Sequence, residues 1–440
     1  MTRSVNRTCR IVVLATLSVS FYTYVRQETE FTSIGSFNLH ITDALFGLIL
    51  FCSLFGLENR RGRSPAEMML LFLSGLLLLS FSRGVIEAGN AAAGNAFRLY
   101  SVFTALIIFM YFWGRKLDYQ WVFDKIIWLG WAVVFLGIAR IVLGLDAFVR
   151  NPDPFEEPRI FNSAAALLLG QAALIALYRS MMQPSARRSW NALCFTIFFA
   201  TILLSNQRTA TFATIAGVIA IVSLAARRRE TTIICAGIIA CAVGIGILAI
   251  ASLSDGELTK YLPHSLQMIA SQEGSYGWRL DQWQIYFQQW VDATPFDQIV
   301  GQPFGIARAV GLKFSTLKQV DPLVLPAHSG YLQFLLNVGV IGLLIFISVL
   351  VFAFADAIVV LKGHQSYSPL VVLAVAILVS QVVFSFSYSF EGEQGLPLAI
   401  SVQIIALARE ASARVRLVQP RSVLPVPLYV DRPQSSKQRN

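Results

Sequence analysis

The chain has 440 residues, a mean hydropathy of +0.62, and 55% hydrophobic against only 14% charged residues. Its apolar residues come in long blocks with short basic punctuation, which excludes a soluble α/β enzyme and fits an all-α, polytopic integral membrane protein. The formal charge of +10 collects between the blocks, as in cytoplasmic loops, so it reports topology and no nucleic-acid partner.

Taken in order, Arg3, Arg7 and Arg10 precede the apolar run Ile11–Val25. The run has the length of a signal sequence, but no small-residue cleavage site follows it, so it reads as an uncleaved first span with its N-terminus inside. Further spans are expected at 40–57, 67–82, 96–113, 121–145, 161–178, 190–206, 208–226, 231–252, 331–360, 369–388 and 396–408. That makes about twelve transmembrane helices, with both termini on one side. Under this assignment 23 of the 35 Lys and Arg residues fall on the side of the N-terminus, among them Arg60, Arg61, Arg63 and the triplet Arg227–Arg229. The positive-inside rule asks for that asymmetry, and it makes this side cytoplasmic. The chain thus divides into nine spans over 1–252, a long outer loop over 253–330, three spans over 331–408 and a basic tail over 409–440. The last span is short and contains Pro397, and Gln419–Asn440, with four prolines, reads as a disordered cytoplasmic extension. Cys9, Cys52, Cys194, Cys235 and Cys241 lie in or beside apolar blocks, with no disulfide framework or zinc spacing.

Chemistry concentrates in Ser275–Gly342. Leu280, Trp283, Phe287 and Trp290 recur at helical spacing and define one apolar stripe on a helix ending before Pro295, suited to resting at the membrane interface. Arg279 stands near that helix's first turn, where the backbone favours an anion; the alternative is a surface arginine paired with Asp281 or a lipid headgroup. His328 is the histidine directly beside the start of an outward-facing span. Its imidazole belongs at the outer membrane–water boundary, and flanking arginines would hold it neutral, able to take a proton from a hydroxyl. The alternative is a helix-terminal polar residue without a chemical role. Arg208, in Ser205-Asn206-Gln207-Arg208-Thr209-Ala210, lies in a tight outer connection, as an anion ligand or as a water-facing loop residue. Arg98 and Arg140 lie in or at the ends of apolar blocks, where arginines are candidates for a polar cavity; Arg140 could also snorkel outward. No Asp-x-Asp pair, Gly-rich phosphate loop, His-Glu-x-x-His or Gly-x-Ser-x-Gly is present. Arginines and one histidine on the outer face suit a reaction whose leaving group carries phosphate and departs readily.

These residues resemble the O-antigen ligase and polysaccharide polymerase superfamily of bacterial inner-membrane glycosyltransferases. The resemblance rests on Arg279–Trp283, Gly301-Gln302-Pro303-Phe304-Gly305, His328-Ser329-Gly330-Tyr331-Leu332, Gly339-Val340-Ile341-Gly342 and the Ser205–Ala210 turn. Serine after His328 and the loose glycine stretch depart from the usual pattern. The resemblance implies transfer, without metal or cofactor, of a glycan from undecaprenyl diphosphate to a periplasmic acceptor, either lipid A-core or a growing polysaccharide. By matching positions, Arg208 and Arg279 would grip the diphosphate, and His328 would act as the base in an inverting displacement. Trp283 and Tyr331 would stack on sugars or simply pack at the interface. A transporter would also explain the spans and an Arg98/Arg140 cavity, but repeated halves are not evident. A non-catalytic assembly partner is the third reading.

Overall fold

The computed structural model describes residues 2–26, 30–34, 37–55, 63–144, 148, 160–182, 187–205, 207–225, 275–306, 328–362, 368–390 and 392–418. Its elements in order are α1 (Thr2–Arg26), a hairpin of β1 (Glu30–Ile34) and β2 (Phe37–His40), α2 (Ile41–Leu54), α3 (Pro65–Glu87), α4 (Asn90–Trp113) and α5 (Tyr119–Leu143). There follow α6 (Ser163–Met182), α7 (Arg187–Leu204), α8 (Arg208–Ala225), α9 (Ser275–Val291), α10 (Pro295–Val300), α11 (Gly330–Lys362), α12 (Ser368–Ser387) and α13 (Gly395–Val418). Among the described residues, nine helices are long and apolar enough to cross a membrane, and α2 is a shorter apolar helix. The chain is therefore a multi-pass, all-α membrane protein. The span expected at 231–252 lies outside the described residues, as do His264, His364, Cys235, Cys241, Asp146 and 419–440.

Local signals account for the helix ends. Ser64 and Glu67 form a reciprocal capping box ahead of α3, with Pro65 in its first turn, where a missing N–H costs nothing. Pro397 is placed equally well, in the first turn of α13. That helix consequently runs to Val418, past the expected end of the last span and into the stretch read as tail.

At the centre, 89% of the most apolar window of α6 is buried, and small residues set the approach of its neighbours. A Cβ on Gly130 of α5 would press on Ala172 and Phe198, and one on Gly217 of α8 on Leu174. Small residues at helix crossings let backbones come together where lipid supplies no hydrophobic drive.

Two expectations are corrected here. Arg140 does not snorkel: it is 0% exposed, and its Nη1 donates to the carbonyl of Ile160 at 2.8 Å while Nη2 donates to those of Tyr24 and Val25 at 3.0 and 2.9 Å. The end of α1 has left carbonyls without helical donors, and the guanidinium supplies them. The second correction concerns Gly339 to Gly342, which does not lie in an unbroken helix. Gly339 has φ +67° and ψ −169°, which separates a half-helix, 330–338, from the membrane-spanning remainder of α11.

Candidate functional site

Four separate elements converge on the ring of Tyr388, just beyond the end of α12. The guanidinium of Arg279, from the second turn of α9, lies 5.0 Å over that ring. Its Nη2 donates to the phenol oxygen at 3.4 Å. The ring of His328, immediately before α11, meets Tyr388 edge-on at 6.4 Å between centroids. The phenol in turn donates to Oε1 of Gln207 at 3.4 Å, and Phe384, one turn back on α12, stacks beneath Tyr388 at 5.0 Å. Gln207 is buried and held by its own donation to the Phe161 carbonyl at 2.9 Å. The next residue, Arg208, opens α8 with an exposed side chain. Arg279, His328 and the turn bearing Arg208 are thus gathered at one rim of the bundle.

The backbone explains the placement of His328. It has φ +47°, a left-handed conformation that costs a non-glycine residue energy and turns the chain sharply. Ser329 follows and starts the helix, its carbonyl accepting from Gln333 N at 2.9 Å and its hydroxyl from Leu332 N at 3.5 Å. The imidazole is left standing off the axis of the half-helix, toward Tyr388.

Beside this cluster lies an apolar groove of about 820 Å³ between α8, α9, α11 and α12. Its walls include Phe212, Trp283, Phe287, Leu332 and Phe386, with Trp283 and Phe386 in edge contact at 5.8 Å. Phe212, Phe287 and Phe386 are 63%, 51% and 58% exposed, so the groove is open to its surroundings. Three further lining residues, Thr209, Ser329 and Ser387, are the chain neighbours of Arg208, His328 and Tyr388. The apolar groove therefore ends where the cationic cluster begins.

Other expected site residues are placed differently. Trp283 and Tyr331 are both in the groove wall. The Tyr331 hydroxyl donates to the Val382 carbonyl at 3.0 Å and its ring packs on Phe346 at 6.0 Å. Arg98 is on another face, where Nε pairs with Asp43 at 3.2 Å and Nη1 donates to Asn95 at 3.0 Å. It ties α4 to α2 and is not gathered with the cluster. On α9 the buried side chains among the described residues are Gln282 and Tyr286, while Trp283 and Trp290 of the expected stripe are half-buried and Phe287 is exposed. Arg279 sits one turn deeper into α9 than expected, because the helix starts at Ser275.

Sequence reading missed Tyr388 and Gln207. A tyrosine at the end of an apolar span reads as an ordinary interfacial aromatic. Gln207 had a signal, since a buried amide in a tight turn next to Arg208 has to find partners.

No curated protein matches the chain. Residues 193–347 match the family model described as O-Antigen ligase, a segment that includes Arg208, Arg279 and His328 but not Tyr388. About a third of the chain is therefore similar to the O-antigen ligase family, within a multi-pass helical protein, which supports the resemblance to the O-antigen ligase superfamily.

Proposed function

We propose that this protein is a membrane glycosyltransferase that moves a preassembled glycan from undecaprenyl diphosphate to an acceptor hydroxyl on the periplasmic face of the bacterial inner membrane, as an O-antigen ligase does. Both termini lie in the cytoplasm in this reading. The observation that carries it is the convergence of Arg279 and His328 on one tyrosine, beside Arg208, where an apolar groove opens. An isoprenoid diphosphate has those two halves, a greasy chain and a doubly charged head.

The polyprenyl chain enters the groove between Phe212, Phe287 and Phe386, and its remainder lies in the bilayer. Arg208 and Arg279 take the diphosphate, since guanidinium groups stay charged and meet phosphate oxygens in a fork. His328 takes the proton of the acceptor hydroxyl as its oxygen attacks the anomeric carbon. The bond from that carbon to the phosphate oxygen breaks with inversion, and undecaprenyl diphosphate leaves with the electron pair. The two arginines stabilise the charge growing on the leaving diphosphate. Tyr388 holds the Arg279 guanidinium over its ring and the imidazole of His328 edge-on beside it.

The test is transfer by the purified protein in lipid discs, using undecaprenyl diphosphate-linked glycan and lipid A-core. Product is expected without a divalent cation and unchanged by EDTA; strict metal dependence or no transfer would overturn the reading. Glycan length in a deletion strain identifies the acceptor. Loss of all surface glycan from the core fits a ligase, and single-repeat decoration would make the protein a polymerase.

A further inference from the structure

Residues 295–305, which comprise α10 and the turn after it, form a wedge between α3, α4 and α11. Gln302 N donates to the Leu336 carbonyl at 2.7 Å, an acceptor whose helical donor would lie beyond the break at Gly339. A Cβ on Gly339 would overlap the Ile299 carbonyl, and one on Gly301 (φ +96°) would overlap the backbone of Asn337 and Val338. The break in α11 and the wedge are thus shaped to each other, and only glycines fit at the crossing. Phe304 is 1% exposed, packs on Phe97 and Tyr100 at 5.4 and 5.3 Å, and its carbonyl lies where a side chain on Gly84 would be. Ser80 Oγ donates to the Gln302 carbonyl at 3.1 Å.

On its other side the wedge holds α9. Gln289 Nε2 donates to Gln302 Oε1 at 3.2 Å, Gln302 Nε2 donates to the Gln289 carbonyl at 3.4 Å, and Trp290 Nε1 donates to the Gln298 carbonyl at 3.1 Å. One short segment therefore spaces the helix that carries Arg279 from the half-helix that follows His328. The clamp on that segment is Arg83, at the end of α3. Its Nη2 pairs with Asp297 at 2.6 Å, its Nη1 donates to the Gly301 carbonyl at 2.7 Å, and its guanidinium lies 4.8 Å over Phe296.

We infer that Arg83 is a positioning residue, which by clamping the 295–305 wedge sets the spacing between Arg279 and His328 for the transfer reaction. Among the described residues its contacts are with Glu87 and the 295–305 wedge and none with the groups gathered at Tyr388, and it lies outside the matched family segment. The inference rests on the proposed function for what is being positioned, and on the geometry alone for the clamp.

Two measurements test it. In the purified transfer reaction Arg83→Ala lowers kcat by about 10- to 100-fold while KM for the lipid diphosphate donor moves by less than about threefold, because misplaced groups still bind but meet poorly. Arg83→Lys, which keeps the ion pair and loses the fork to Gly301, falls between the two. In parallel, spin labels at the exposed Gln284 on α9 and the half-buried Leu332 on the half-helix after His328, with the native cysteines replaced, report the spacing without any substrate. The distance distribution is narrow in the parent protein, broad in Arg83→Ala and intermediate in Arg83→Lys. A change in kcat without broadening, broadening without a change in kcat, or no change in either would overturn the inference. A parent protein inactive on the lipid-linked glycan overturns instead the function it rests on, and the distance measurement tells the two failures apart.

Discussion

Two clusters of arginine sit at opposite ends of the bundle and are built differently. At the end where α3 starts, Glu67, with a side chain 2% exposed, is approached by Arg63 at 3.2 Å and by Arg115 at 2.9 Å. Arg115 also grips Glu410 of α13 at 2.6 and 3.0 Å, and the Arg63 guanidinium covers the ring of Tyr111 at 4.7 Å. Two cations and two carboxylates close on one another in short bonds, joining α3, the turn after α4, and α13. At the rim, Arg279 and His328 rest on a neutral ring, the bonds through Tyr388 are both 3.4 Å, and Arg208 is exposed. The first arrangement is closed by ion pairs between buried and half-buried groups and holds helices together. The second is joined through Tyr388 by longer bonds and stands at the mouth of a groove, where catalytic contacts tighten when substrate arrives.

That contrast can be broken by substitution. Arg279→Ala and His328→Ala are each expected to cut transfer by about 10²- to 10⁴-fold, with normal membrane insertion and an unchanged melting temperature of the purified protein; full turnover in both would leave the rim without a role. Glu67→Ala should do the reverse. It leaves Arg63 and Arg115 facing each other, at a cost of about 3–5 kcal/mol visible as a lower melting temperature, while turnover per folded molecule stays near that of the parent. A loss of kcat with no loss of stability would place that cluster among the working parts. Sharper still is Arg279→Lys, which keeps the charge and loses the planar fork, so activity should fall by about tenfold or more, read from initial rates. Smallest is Tyr388→Phe, which retains the ring beside Arg279 and His328 and removes only the phenol with its two long hydrogen bonds, for a few-fold to about tenfold loss, in line with about 1 kcal/mol in all for two such weak bonds. Tyr388→Ala should cost visibly more, and equality of the two would mean that the ring orients nothing.

Most of the helical architecture was legible because long apolar blocks bounded by arginine have few alternatives in lipid. The family resemblance was legible in Arg279–Trp283 and His328–Leu332, where unusual residue types stand close together along the chain. What escaped was everything decided by partners far away in sequence. Arg140 could not be told from a snorkelling arginine, because the carbonyls it serves are on α1 and ahead of α6. The break at Gly339 reads as part of an apolar helix until the wedge that displaces it is seen. Arg98 looked like a cavity residue by its depth alone, since nothing local announced Asp43 on α2. Tyr388 carries no motif, and its importance comes from the company it keeps.

The three carbonyls around Arg140 bear on how the protein is made. Its acceptors on Tyr24 and Val25 are synthesised first, and the arginine that satisfies them follows 116 and 115 residues later. Until α5 enters the bilayer, the last carbonyls of α1 rely on water at the membrane boundary, and α5 on its own would have to snorkel its guanidinium or carry it into lipid at an unfavourable transfer cost. Each helix therefore relieves the other's defect during biogenesis, and a truncation that removes α1 would hand the insertion machinery a fifth helix with a charge it cannot hide.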